Sequence, residues 1–379
     1  MKELIQNYIK DLDSIDYSNI NFTPIPNSDI VPGDNFYVFI RSLITRPTPP
    51  TTVTALVANT DNQIEELKKI EDKFLKKVDD KNYSYDDIYE LVEKYALSDF
   101  SDSYLNTDFD DSTDEINIVG LGINPNKHMT KEVEEILNTS ENIFCIASKD
   151  ELSLLRKNYG DKFIDLAEQS YKNDEERLNA YLNMASKVIE ESIEKGKSTL
   201  ALYGHPTVFS FPPYLIHRVA KLLKKKVNIT TGISAMDCML SDLLIDPATN
   251  GMLMYEATEL LLSKRLLLPD VPLLIWQVGT VESSLYSTRE NAPNRFEKIK
   301  KYLLEFYPEN HPVYAYFSKS LEEESSLIYT MKLFELENYS SILGSGITLY
   351  VPPAYKRRDF DEKILKNLGD TKHLSQITK

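Results

Sequence analysis

Residues 116–125 read INIVGLGINP. Ile116, Ile118 and Val119 form a short apolar run that ends at Gly120 and Gly122, the pattern of a buried strand feeding a loop. Downstream, the pattern predicts a helix at about 130–139 and a strand at 142–147. It then predicts a long helix at 174–195 and a strand in LALYGH (200–205). Helix 212–224, strand 226–230, helix 234–243 and strand 271–278 continue the alternation. Such alternation predicts an α/β domain with a mainly parallel sheet. After residue 312 the segments VYAYF, SLIYTMKLF and ITLYVPP predict a mixed second sheet.

Upstream, residues 1–98 read as a small, mainly helical module. Residues 2–13 alternate at helical spacing, Phe36–Leu43 is a short apolar run, and TRPTPPTT is a breaker cluster. Ile64, Leu67, Ile70, Phe74 and Leu75 share one face of a helix predicted over 62–81, and 84–97 predicts another helix. No chemical motif marks this module. Residues 99–115 carry seven acids and no base, so they read as a solvated acidic linker. The expected organisation is the module 1–98, the linker, a domain at 116–355 with subdomains at about 116–230 and 231–355, and a polar tail at 356–379.

The 379 residues carry a net charge of −16 and 42% hydrophobic residues. An acidic surface repels phosphate backbones, which disfavours a general nucleic-acid or anionic-membrane binder and leaves a local basic pocket open. No apolar run approaches the ~20 residues of a membrane span, and the first turns are too charged for a signal peptide. Cys145 and Cys238 are the only cysteines, which fits a reducing cytoplasm. The five histidines show no ligand spacing, so no metal is expected.

Four predicted strand ends carry turn-forming residues: Gly120–Gly122, Gly204–Thr207, Gly232–Ser234 and Gly279–Thr280. Ligands of α/β sheets sit outside the carboxyl ends of strands. The first loop is not GxGxxG, because Asn124–Pro125 stands in place of the later glycine. A dinucleotide pyrophosphate site is therefore disfavoured, and no P-loop is present. In the middle helix, Asn173 and Glu176 are spaced like a capping box, which predicts a helix start near 174. Arg177 and Tyr181 then lie i and i+4 on one face. Tyr171 and Tyr203 stand where they could join them around one guanidinium. The structural alternative is a surface arginine packed on aromatics. His205 reads as a turn residue or a proton acceptor, Asp237 and Asp242 as caps or ion-pair members, and Cys238 as a packed thiol.

A resemblance runs through INIVGLG (116–122), ERLNAY (176–181), GHPTVFSFP (204–212), GISAMDCMLSDLLIDP (232–247), YEATELL (255–261), WQVG (276–279) and LYVPP (349–353). The set is similar to the tetrapyrrole-methylase superfamily of S-adenosylmethionine methyltransferases. Within it, the chain most resembles the borosin enzymes, which methylate backbone amides of ribosomal peptides. The resemblance implies two α/β subdomains with S-adenosylmethionine in the cleft between them. It implies a peptide partner and a homodimer. It places Gly122, Tyr203, Gly204, His205, Pro206, Val208 and Phe209 along the cofactor, with Ser234, Ala235, Gln277, Val278 and Gly279 holding its two ends. Tyr171, Arg177, Tyr181 and Tyr203 fall on the family's catalytic positions. One further aromatic position is Glu168 here.

The chemistry follows from these residue types. A peptide nitrogen is a poor nucleophile because its lone pair is delocalised into the carbonyl. Arg177 offers fixed charge to the imidate oxygen. A phenol beside a guanidinium is expected to titrate below its usual value of about 10, which would make Tyr171 a tyrosinate base. Tyr181 would orient Arg177, and Tyr203 would hold the peptide. Residues 354–379 carry seven Lys/Arg and no Val/Ile-rich stretch, so the substrate is expected to be a separate chain. The module 1–98 is an alternative recognition element. A tetrapyrrole or other small-molecule substrate, or a non-catalytic scaffold, stays open beside the peptide reading.

Overall fold

The computed structural model describes residues 61–97, 115–318, 325–356 and 361–379. The expectations for residues 2–13, 36–52 and the acidic run up to Asp114 lie outside them. Two compact units result. The first holds the described residues up to Asp242 together with Ser283–Arg289, Ser318 and Ser325; the second holds Leu243–Glu282, Glu290–Phe317 and the described residues from Ser326 onward. A single boundary near 230 therefore does not describe them. Two short segments of the later sequence return to the first unit.

In the first unit, helices α1 (Asp61–Asp79) and α2 (Tyr85–Leu97) lead into β1 (Glu115–Gly120), α3 (Pro125–His128), α4 (Lys131–Thr139) and β2 (Ile143–Ile146). Then follow α5 (Lys149–Tyr159), β3 (Phe163–Asp165), α6 (Leu166–Ser170), α7 (Arg177–Lys195), β4 (Lys197–Leu202), α8 (Pro212–Leu222), β5 (Lys226–Ile229) and α9 (Ala235–Asp242). The sheet order is β3-β2-β4-β1-β5, and every pairing is parallel. Both faces are covered, as a parallel sheet requires. Ile116, Ile118, Leu200 and Leu202 point into one core with Val188 and Ile189 of α7 and Leu215 and Val219 of α8. Val119, Ile143, Cys145 and Ala201 point into the other, against Val133, Leu137, Leu152 and Leu155.

The leading helices belong to this unit. Ile88, Leu91, Val92 and Tyr95 of α2 are buried at i, i+3, i+4 and i+7 and share the first core with Phe74 of α1. Burying each such side chain contributes about 1.5–3 kcal/mol. The Arg218 guanidinium stacks 4.4 Å over the Tyr95 ring and donates to the Tyr95 carbonyl at 3.1 Å.

The stretch from α5 to α6 carries no element in the sequence reading. The structure begins α5 with a capping box, in which Ser148 Oγ accepts from Glu151 N–H and the Glu151 carboxylate accepts from Ser148 N–H. The long helix also starts later than predicted. Arg177 is its first residue, and the preceding Glu176 makes no side-chain cap. The Asn173 side chain instead accepts from the backbone and hydroxyl of Thr288 at 2.9 and 3.2 Å. A tertiary partner has displaced the local cap.

The second unit contains α10 (Pro247–Asn250), β6 (Leu253–Glu256), α11 (Ala257–Leu262), β7 (Leu273–Trp276), α12 (Glu297–Leu303), β8 (Pro312–Phe317), β9 (Leu327–Lys332) and β10 (Thr348–Val351). Helices α13 (Glu362–Asn367) and α14 (Thr371–Ile377) end the described chain. Its sheet order is β6-β7-β10-β8-β9; β6 and β7 are parallel and the other pairs antiparallel. The mixed second sheet is as expected. Among the described residues, no helix is long and apolar enough to cross a membrane.

Candidate active site

The carboxyl ends of β1, β4 and β5 lie side by side in the first unit, because β1 sits between the other two strands. This edge carries Gly120–Gly122, Tyr203–His205 and Thr230–Ser234. Its glycines serve one another. Gly122 and Gly204 both take left-handed φ near 72°. They exchange backbone hydrogen bonds at 3.2 and 2.9 Å. A Cβ on Gly232 would stand 2.5 Å from the Gly204 carbonyl oxygen, and one on Gly122 2.3 Å from His128 Cβ. These amides and close approaches close the protein's own backbone.

The rest of the edge is neutral and aromatic. Tyr203 is 38% exposed, and Phe209 is 48% exposed on a left-handed backbone. Neither 203–211 nor 230–236 contains a Lys or Arg. A cofactor with an adenine ring and a sulfonium, and without phosphates, suits such walls, since aromatic faces attract cations and stack on bases. Pro206 packs against Gly120, where a Cβ would meet its Cδ at 2.8 Å. Val208 N–H donates to the His205 carbonyl.

The alternatives for the neighbouring polar groups resolve locally. His205 Nδ1 accepts from Thr207 N–H at 3.2 Å and lies equally close to its hydroxyl, which makes it a turn residue. Ser234 and Asp237 cap α9 together: the Asp237 carboxylate accepts from Ser234 N–H and Oγ at 2.7 Å each. The Ser234 hydroxyl is thus engaged inside the fold, and Ala235 opens the helix. Among the described residues, no group of three or more His, Cys, Asp or Glu is placed to hold a metal ion.

In the second unit, Gln277, Val278 and Gly279 follow the end of β7. Gln277 is left-handed at φ 53°, Val278 is fully buried, and Gly279 is in close contact with Gly344. A Cβ on Gly279 would lie 2.2 Å from Gly344 backbone atoms. The QVG motif therefore has a packing reason within its own unit.

Arg177, Tyr171 and Tyr181 do converge. Arg177 is only 5% exposed. Its Nη2 donates to the Ser283 carbonyl at 2.8 Å and its Nε to the Ser284 carbonyl at 3.3 Å. Tyr171, at the C-cap of α6, meets the Tyr181 ring edge-on at 6.3 Å. Tyr181 in turn meets Phe211 at 6.2 Å. Glu168 stands outside the cluster, in an exposed ion pair with Lys149 at 3.2 Å. The sequence reading missed Phe211, Tyr286 and the carbonyls of Ser283 and Ser284. Tyr286 stacks on Tyr171 at 4.7 Å and 21°. A tyrosine in a serine-rich loop has no local signature, and Arg177 and Ser284 are 107 residues apart.

The expected pKa of Tyr171 has the wrong sign. Burial pushes its phenol well above the usual value, and the nearby Tyr181 pushes it further; the Arg177 guanidinium pulls it down by less. Desolvation wins over a charge whose field is already shared with two carbonyls. The folded chain thus holds this proton where the unfolded chain, titrating near pH 10, has lost it. The contribution to stability is full below about pH 10 and is lost as pH rises above it. Burial likewise raises Tyr85, to about 12. The urea midpoint should fall between about pH 9.5 and 11, and Tyr171→Phe should make that fall shallower. An unchanged slope would mean that the Tyr171 phenol titrates as if in water.

Residues 115–337 match the family of tetrapyrrole (corrin/porphyrin) methylases, and the chain belongs to that family. Its curated sequence relatives are borosin-type proteins. The methyltransferase and ribosomally synthesized cyclic peptide omphalotin A precursor of Omphalotus olearius is 29% identical over 247 residues, 64% of this chain and 58% of the relative. The methyltransferase and type II borosin cyclic peptide precursor of Phlebiopsis gigantea is 30% identical over 265 residues, 68% of this chain and 46% of the relative. The chain thus spans about half to three-fifths of the length of these relatives. Among solved structures, uroporphyrin-III-C-methyltransferase from Thermus thermophilus aligns with a TM-score of 0.45 at 15% identity, over 64% of this chain and 95% of that one.

Proposed function

We propose that this protein is an S-adenosylmethionine-dependent methyltransferase that methylates backbone amide nitrogens of a peptide supplied as a separate chain. The observation that carries the reading is the buried Arg177 guanidinium, held on two carbonyls beside the Tyr171 and Tyr181 phenols. The relatives named as combined methyltransferases and peptide precursors support the substrate class. The cofactor supplies an electrophilic methyl on a sulfonium, whose charge also favours ionisation of a phenol beside it.

The chain's residues divide the remaining work. Arg177 donates to the amide oxygen, which gains charge as the nitrogen loses its proton. Burial keeps the Tyr171 phenol protonated in the empty site; with the cofactor's positive charge beside it, Tyr171 would first release that proton to solvent and then, as tyrosinate, take the one from the amide. Tyr181 fixes Tyr171 through its edge-on contact, and Tyr203 and Phe209 offer aromatic surface to the ligands. Gly122, Gly204–Pro206, Val208 and Ser234–Ala235 shape the cofactor site through backbone form. Alignment of the nucleophile with the methyl supplies the rest of the acceleration. The proposal includes a cytoplasmic homodimer, from the resemblance and from two cysteines that are both free.

The family description favours one other substrate, a tetrapyrrole. Tetrapyrroles carry several carboxylates, whereas Arg177 is the single cation of the described cluster. The test is incubation of the full chain with S-adenosylmethionine and short peptides from neighbouring reading frames, read by mass spectrometry. Increments of about 14 Da on backbone amides are expected, since each N–H becomes N–CH₃. Methylation of tetrapyrroles alone, or tight cofactor binding with no transfer to any peptide, would replace this reading with a small-molecule enzyme or a scaffold.

A further inference from the structure

We propose that Ser283–Arg289 is a strap that positions the reacting groups, and that Tyr286 is its positioning residue. The chain turns into this segment at Glu282, which takes a left-handed φ of 64°. The strap then runs antiparallel to residues 173–177. Asp174 N–H donates to the Tyr286 carbonyl at 2.9 Å and Tyr286 N–H to the Glu175 carbonyl at 2.9 Å. Glu176 and Leu285 form a bridge, and Arg177 N–H donates to the Ser284 carbonyl at 3.0 Å. Thr288 closes the far end on Asn173, and Arg289 pairs with Asp174 at 2.5 Å. That last pair is exposed and contributes little.

This ladder has two consequences for the cluster. Consecutive carbonyls, those of Ser283 and Ser284, take Nη2 and Nε of Arg177, which fixes the plane of the guanidinium as well as its position. The Tyr286 ring covers a face of Tyr171 and limits the swing of that phenol. Asp174 is itself left-handed at φ 66°. Asp174 is held there by its bond to the Tyr286 carbonyl, against a local cost of about 1–3 kcal/mol.

The strap rests on the peptide-methylation reading only for its activity readout. Full-length wild type, Tyr286→Ala and Tyr286→Phe are compared by backbone hydrogen exchange, thermal melting, S-adenosylmethionine titration, and kcat and KM on a methylated peptide. In Tyr286→Ala, exchange at 173–177 and 283–289 should rise at least about tenfold. Its kcat should fall at least about tenfold with cofactor affinity within about twofold. Tyr286→Phe keeps the ring and should match wild type. If the alanine chain does not fold, Tyr286→Leu is read on the same quantities. An alanine or leucine variant with unaltered exchange, or with unaltered kcat, overturns the strap. If wild type methylates no peptide, the function reading fails by itself and the exchange arm alone decides the strap.

Discussion

Arg177→Ala should bind S-adenosylmethionine with near wild-type affinity and transfer methyl groups about 10²–10³-fold more slowly, the usual effect of removing one donor to a developing oxyanion. The guanidinium is the single cation of the described cluster and is almost wholly removed from water. Nothing neighbouring can take its place on the imidate oxygen. Calorimetric titration of the cofactor and mass spectrometry of the peptide measure the two quantities separately. Arg177→Lys should rescue only in part, because an ammonium keeps the charge and loses the planar fork that meets the Ser283 and Ser284 carbonyls. If the alanine variant loses cofactor affinity along with turnover, Arg177 is a structural element and the amide-activation scheme has no electrophilic partner.

Gly232→Ala should be among the most damaging single-methyl changes in the first unit, with a loss of about 3 kcal/mol. The added Cβ would sit 2.5 Å from the Gly204 carbonyl oxygen and 3.0 Å from Gly120 Cα. Both obstacles are backbone, so no side chain can move aside. Relief would require the ends of β1, β4 and β5 to separate, which also breaks the Gly122–Gly204 bridge. A thermal melt and a urea titration read the loss. Gly251→Ala is the matched control with no atom in the way, though its φ of 71° carries its own cost. Equal melting of the two variants would show that the glycine contact at the sheet edge is looser than described.

Much of this architecture is readable in the sequence because it depends on local pattern. The strands at β1, β4 and β10 follow from short apolar runs, and α7 and α8 from helical spacing. Helix α5 had a local signal in the Ser148–Glu151 capping box that the sequence reading passed over; β3 had none, because it has three residues and is a strand only through pairing with β2. In the site, Tyr171, Arg177 and Tyr181 were found by spacing and resemblance. Tyr286 was not found, since its place beside Tyr171 depends on a contact across more than a hundred residues. The sign of the Tyr171 pKa was misread for a related reason. A list of neighbours includes the guanidinium but not the amount of water excluded around the phenol.

By itself the sequence determined the α/β class and the order of most elements, and it singled out the Tyr171, Arg177 and Tyr181 grouping, because periodicity and residue chemistry are properties of short segments. The tertiary structure alone decided that the leading helix joins the main core, that Asn173 serves Thr288 and not its own helix, and that Arg177 is held by the 283–289 strap. Each of these is a choice among partners far apart in the chain. Such choices are made by burial and by the need to satisfy polar groups once water has left.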